Sequence, residues 1–353
     1  MHMFGKLFKR FSKDVAIDLG TSNTLIYVKD RGIAVKEASI VAINNRTGEI
    51  LAVGQEAQRM MGRAPAHITV SRPLVDGIIS DFEVTEKMLK YFMGRLTHEV
   101  MGIAPRPRVI IGVPLEITEV EKKAVEDVVL SAGAREVFLV ENVIATAIGA
   151  RLPIQDPSGS MVVDIGGGLT EIAVISLSGV VAWKSLRIAG TELDQEIIQF
   201  ALQEFNLLVG EGVAEDLKRR ASVLDDGQEP QELKMRGRDL LSGLPKEVTI
   251  STEQIKHALQ RPVNAIIDGI KSTLEVTPPE LVADIYQRGV VLAGGGAMLA
   301  GLDEAIAKAI KVPVKVIEDP LTCVIRGMGL ILEDEQLLRE VAVPSTQDEQ
   351  APR

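Results

Sequence analysis

Aromatic residues and cysteine are scarce in this chain. Its 353 residues include one tryptophan, three tyrosines, eight phenylalanines, four histidines and a single cysteine, Cys323. So little aromatic surface offers no platform on which unpaired bases could stack. The 39 basic against 49 acidic side chains give a net charge of −10 and no basic footprint, so nucleic acid is not expected as a partner. One cysteine closes no internal disulfide, and without a Cys/His cluster there is no zinc site; a reducing cytoplasm fits. No apolar run approaches the ~18–20 residues needed to cross a bilayer, and the N-terminus lacks the apolar core and small-residue cleavage site of a signal peptide. What the chain has is aliphatic surface: 46% of residues are hydrophobic and 25% charged, enough for a sizeable core and against disorder. The length suits two or three domains.

The first thirteen residues, MHMFGKLFKRFSK, stand apart. Phe4, Leu7, Phe8 and Phe11 fall at i, i+3, i+4 and i+7, one face of a helix, while Lys6, Lys9, Arg10 and Lys13 take the other positions. Bulky apolar groups opposite lysines suit a helix lying in the headgroup layer of an anionic membrane. A terminal helix docked on the protein's own core would use the same apolar face.

Two segments repeat. Val15 to Val28 reads VAIDLGTSNTLIYV and Val162 to Ile175 reads VVDIGGGLTEIAVI. In both, an apolar strand ends in Asp, hydrophobic, Gly, then a turn of small residues, then a second apolar strand. Asp18 matches Asp164, Gly20 matches Gly166 and Thr24 matches Thr170, one domain length apart. The pattern predicts two related α/β lobes, each opening with a β-hairpin. Small residues in a tight turn let backbone N–H groups cradle phosphate oxygens. An Asp ending the strand can hold Mg²⁺ through its waters, because that ion keeps most of its hydration shell. One such hairpin is ordinary turn chemistry; two facing each other would clamp a nucleotide's phosphates.

A third glycine element, GVVLAGGGAML from Gly289 to Leu299, is predicted as a strand, then Gly294-Gly295-Gly296, then a helix start whose partial positive charge would favour an anion. Close strand–helix packing would explain the same glycines. The G-x-G-x-x-G dinucleotide fingerprint and the P-loop pattern G-x-x-x-x-G-K-[ST] are both missing.

In this order the three elements resemble the actin, chaperone-ATPase and sugar-kinase superfamily. Within it, DLGTSNTLIYVK, RPLVDGIISDFEVTEKMLKYF, PRPRVIIGVP, MVVDIGGG, RGRDLLSGLPK and GGGAMLAGLDEAI are similar to segments of the MreB family of bacterial actins, from about Asp14 to Glu333. The resemblance implies an α/β, actin-like ATPase fold: two related RNase H-like lobes with a nucleotide cleft between them and two small inserted subdomains. It implies subdomain IA over 14–36, 79–150 and 325–340, IB over 37–78, IIA over 151–188 and 260–324, and IIB over 189–259. These follow a membrane helix over 1–13 and precede a disordered tail over 341–353. Carried over by motif, Gly20, Thr21, Ser22 and Asn23 form one phosphate loop and Gly166, Gly167 and Gly168 the other. Asp18 and Asp164 would hold Mg²⁺ through water. Gly294, Gly295, Gly296 and Ala297 would pack on the adenosine of ATP, with Glu215 and Lys218 near ribose and adenine. Without the resemblance, that pair reads as an i, i+3 ion pair on an exposed helix.

The chain departs from the family where water is activated. The family's Glu-Glu-Pro-Met is Glu141-Asn142-Val143-Ile144 here, so Asn142 stands at the catalytic glutamate. Leu169 replaces the first Thr of Gly-Gly-Gly-Thr-Thr-Glu, leaving Thr170, ahead of Glu171, as the loop threonine the resemblance assigns to catalysis. A carboxylate accepts a proton and an amide does not, although an amide can orient water. Slow or impaired hydrolysis is expected; Glu141 is expected to point about 100° from Asn142 along a helix. Near Gly190 the family's Gly-Asp-Glu is Gly190-Thr191-Glu192.

The resemblance also implies self-assembly into antiparallel double filaments on the inner face of the cytoplasmic membrane, with partners in cell-wall elongation such as RodZ and MreC. Val100, Met101 and Ile103, apolar in a predicted loop, would touch membrane beside the N-terminal helix; a loop folded onto its own domain would account for them equally. A helix from Glu116 to Leu130 would pair protofilaments. Other members of the superfamily, a sugar kinase or a chaperone ATPase, remain as non-filament alternatives. No motif supplies a sugar-directed base, and the chain ends too soon for a chaperone's substrate domain.

Overall fold

The computed structural model describes residues 14–96, 106–220 and 230–344. It divides into two compact units, residues 1–156 with 322–353, and residues 157–321. The expected membrane contacts Phe4, Leu7, Phe8, Phe11, Val100, Met101 and Ile103 lie outside the described residues.

In the first unit a six-stranded sheet runs Ala342–Val343, Glu136–Glu141, Arg108–Val113, Val15–Leu19, Asn23–Val28, Gly32–Ala38. The last three form an antiparallel meander, and Arg108–Val113 and Glu136–Glu141 join it in parallel. Strand alternation sorts the side chains. Val15, Ile17, Leu19, Val109, Ile111, Val113 and Leu139 share one core with helices Phe82–Leu96 and Glu119–Ser131. The other parity, which includes Asp18 and Gly112, faces helix Cys323–Glu333. That helix crosses helix Asn142–Gly149 at glycine. A Cβ on Gly327 would overlap the Ala145 carbonyl, and one on Gly149 the Cys323 carbonyl. Strands Ile50–Val53, Val41–Asn44 and Ile68–Ser71 form a small separate sheet with its own core around Ile40, Ala42 and Ala57.

The second unit repeats the plan. Its five strands run Gly179–Leu186, Thr170–Ser176, Ser160–Ile165, Val290–Ala293, Val314–Val316, with the same order and directions as their counterparts. Thr170–Ser176 is buried along its whole length, as a central strand covered on both faces must be. Helices Gly190–Phe205 and Thr252–Val276 pack over the core, and a second small sheet joins Leu207–Leu208, Glu232–Asp239 and Pro245–Ser251. The internal repeat read from the two hairpins is therefore a repeat of whole sheets.

Three boundaries differ from the sequence reading. The helix expected from Glu116 starts at Glu119, because the Thr118 hydroxyl accepts from the Glu121 amide while the Glu121 carboxylate takes the Thr118 amide, a capping box. The helix expected directly after the glycine triplet starts at Leu302. Gly295–Met298 is one 3-10 turn, and Gly294 and Gly301, both at positive φ, break the chain on either side. Residues expected to open a disordered tail at 341 are regular structure: Val341 ends a helix, and Ala342 and Val343 pair with Val140 and Leu139; residues 345–353 lie outside the described residues.

Candidate functional site

The two hairpin turns are built alike. In the first, the Gly20 amide donates to the Asn23 carbonyl at 3.0 Å, and in the second the Gly166 amide donates to the Leu169 carbonyl at 2.9 Å. Asp18 stands opposite Leu25 and Asp164 opposite Glu171, so each carboxylate precedes its turn by the same register. Both are partly exposed. Matching Thr24 and Thr170 are fully buried.

What backs each turn differs. Behind the first, the Ser39 hydroxyl donates to the Gly20 carbonyl at 2.6 Å and lies 2.8 Å from the Thr24 hydroxyl, which is left to donate to Ser39. The Ser39 amide also reaches the Ser22 carbonyl at 3.0 Å. Thr21 takes the Gly77 amide on its hydroxyl at 2.8 Å, which ties the loop to the Asp76–Gly77 turn. Behind the second, the amides of Gly190 and Thr191 donate to the carbonyls of Gly166 and Gly167 at 3.1 and 2.7 Å. The Thr170 hydroxyl donates to the Ile188 carbonyl at 2.6 Å, so this side chain braces the loop from beneath.

The glycine triplet meets the second hairpin. Parallel pairing sets Ala293 beside Asp164, and the next residue, Gly294, has φ of 80°. A Cβ there would overlap the Asp164 carboxylate and the Ile165 carbonyl; one on Gly296 would overlap the Ile165 side chain. Only glycine allows the backbone this close to the aspartate. The helix-dipole contribution expected at this element is missing, since a 3-10 turn and not a helix follows the glycines. Ala297, within that turn, is buried.

Glu215 and Lys218 share helix Glu211–Arg220 but have different partners. Glu215 pairs with Arg219 on the surface. Lys218, only 15% exposed, pairs with Asp194 at 2.7 Å and donates to the Gly190 carbonyl at 2.9 Å. Burial holds the Asp194 carboxyl above its ordinary range, a rise that Lys218 opposes and Glu215 and Glu211 reinforce.

Asn142 opens helix Asn142–Gly149. Its amide oxygen lies over Gly112 beside the Met328 methyl, where any side chain on residue 112 would overlap it. This is the sheet face that also carries Asp18. Glu141 is not part of that helix: it ends the strand in extended backbone, opposite Val113. It therefore takes the same face as Leu139, the face under helix Glu119–Ser131. Burial raises its carboxyl, and Lys122 on that helix opposes the rise. Leu169, half-buried, closes the second turn through its carbonyl and brings an apolar side chain to that position.

Ser39, Gly77, Gly112 and Asp194 were not evident in the sequence, and Gly190 stood out only as the start of a departure from the family pattern. Each acts across 19 or more positions, Asp194 through Lys218.

The family model described as MreB/Mbl protein matches residues 12–340. The chain is 47% identical to the cell shape-determining protein Mbl of Bacillus subtilis, over 92% of this chain and 97% of that protein. It is 48% identical to the cell shape-determining protein MreB of Escherichia coli, over 94% and 96%. Among solved structures, MreB5 of Spiroplasma citri bound to ADP superposes with a TM-score of 0.87 at 34% identity, covering 94% of this chain and 98% of that one; the same protein is also known bound to AMPPNP. The fold is actin-like, and the chain belongs to the MreB/Mbl family.

Proposed function

We propose that this chain is a membrane-associated bacterial actin that binds ATP with Mg²⁺, polymerises and organises cell-wall synthesis, and that it hydrolyses ATP slowly. The observation that carries the reading is the repeated turn: each unit presents an aspartate and a Gly-closed loop in one register, the arrangement expected of paired phosphate loops. The residues fit the ligands. Asp18 and Asp164 are hard oxygen donors suited to a hydrated Mg²⁺, and Gly294 lets the backbone come against Asp164, where a Cβ would overlap the carboxylate. Gly20 to Asn23 and Gly166 to Gly168 would take the phosphates, and Gly294 to Ala297 the adenosine. Lys218 would contribute from its place behind Gly190. Mg²⁺ would draw charge from the phosphates; Asn142 and Leu169 supply no proton acceptor, so general-base help, typically worth 10²–10⁴-fold, is missing. Glu141 does not replace it, because it faces Lys122 on the opposite side of the sheet from Asp18.

The relatives named for cell-shape determination support the cytoskeletal role, and the nucleotide-bound Spiroplasma citri protein supports the ligand. Four subdomains with the limits given above are supported by the two three-stranded sheets that stand apart from the six- and five-stranded ones. Among the described residues no helix is long and apolar enough to cross a membrane, so attachment would rest on Phe4, Leu7, Phe8 and Phe11, with Val100 and Met101 beside them. RodZ and MreC are the membrane partners this role would bring.

The test is co-sedimentation with anionic vesicles and Mg-ATP, followed by electron microscopy. Filaments on lipid that vanish from the pellet on deletion of residues 1–11 support the reading. A protein that stays monomeric well above micromolar concentration contradicts it.

A further inference from the structure

Asp194 is a half-buried acid that the reading above does not use. It stands one helical turn after Gly190, so both present the same helix face. Between them sits the Lys218 ammonium, 2.7 Å from the Asp194 carboxylate and 2.9 Å from the Gly190 carbonyl. Gly190 in turn donates its amide to the Gly166 carbonyl, and Thr191 its amide to the Gly167 carbonyl. A continuous path of polar contacts thus runs from Asp194 through Lys218 and Gly190 to the second turn. Both charged side chains are nearly closed to solvent, 17% and 15% exposed. A long lysine side chain with several rotamers is fixed here by one acid.

We propose that Asp194 is a positioning residue of the nucleotide site: it holds Lys218 against Gly190 and thereby keeps the Gly166–Gly167 turn in the shape that accepts phosphate. The inference rests on the ATP-binding reading given above. Without the carboxylate, Lys218 loses its counter-ion, swings toward water and releases the Gly190 carbonyl. The helix start that braces the loop is then free to shift, and the cost appears when the loop must order around phosphate. Glutamate, longer by one methylene, can still reach the ammonium; asparagine leaves the positive charge unpaired.

The test uses the full chain and Mg-AMPPNP as probe, with the thermal midpoint of the nucleotide-free protein measured beside affinity. Asp194→Asn should weaken binding about tenfold, the order expected when a charged hydrogen-bond partner is removed, while the nucleotide-free midpoint moves little. Asp194→Glu should recover most of the affinity. In Lys218→Met the further change Asp194→Asn should cost nothing more, since the acid acts through the lysine. Unchanged affinity in Asp194→Asn, with wild type binding normally, overturns this proposal alone. So does a loss that adds in full to that of Lys218→Met. An equal fall of nucleotide-free stability in the Asn and Glu variants, with affinity dropping only in proportion, also overturns it. Failure of the wild type to bind Mg-AMPPNP brings down the ATP reading itself, and this inference with it.

Discussion

The two turns share one hydrogen-bond closure and one register, yet they are held by different chemistry in the same place. In each unit the support comes from the chain just beyond the third strand of the meander. In the first it is a side chain, the Ser39 hydroxyl on the Gly20 carbonyl. In the second it is backbone, the Gly190 and Thr191 amides on the Gly166 and Gly167 carbonyls, with Lys218 and Asp194 behind them. A turn held by one hydroxyl can be undone by removing one oxygen. A turn held by amides is indifferent to the side chains that carry them and vulnerable only where backbone room or the charge behind it is disturbed.

Gly294→Ala should break the second turn most severely. It combines a non-glycine residue at positive φ with overlap against the Asp164 carboxylate and Ile165 carbonyl. A loss of about 3–5 kcal/mol in denaturant unfolding is expected, together with loss of Mg-ATP binding. Ser39→Ala removes the brace of the first turn and leaves the buried Thr24 hydroxyl without its acceptor, which should cost about 1–3 kcal/mol by the same assay. Thr191→Ala sharpens the contrast: the bond to Gly167 comes from the amide, so stability should stay within about 0.5 kcal/mol and ATP affinity should not change. A large effect of Thr191→Ala, or none of Ser39→Ala, would erase the distinction between the two supports.

The hairpins were legible because each is local. Asp, Gly and the small residues between two apolar strands lie within fourteen positions, and turn chemistry of that range is written in sequence. Their supports were not. Ser39 looks like any polar residue at a strand end, and Gly112 looks like a weak spot in an otherwise aliphatic strand until Asn142 is seen lying over it. Lys218 matches the motif, but its partner Asp194 reads only as a charge on the preceding helix. The helix after Gly296 was misplaced because a glycine triplet followed by apolar residues suits a helix start, whereas the φ of 75° at Gly301 delays it to Leu302. Glu141 was expected to diverge from Asn142 along one helix. It does diverge, by ending a strand on the other face of the sheet.

The central claim is a site that binds ATP and lacks its proton acceptor. Phosphate release from Mg-ATP, measured on vesicles at a concentration where the protein sediments, tests it by setting wild type beside Asn142→Glu combined with Leu169→Thr. Nucleotide bound by both proteins, slow release from wild type and release at least about tenfold faster from the double variant are expected. Equal rates in the two proteins, with binding intact, would contradict the claim.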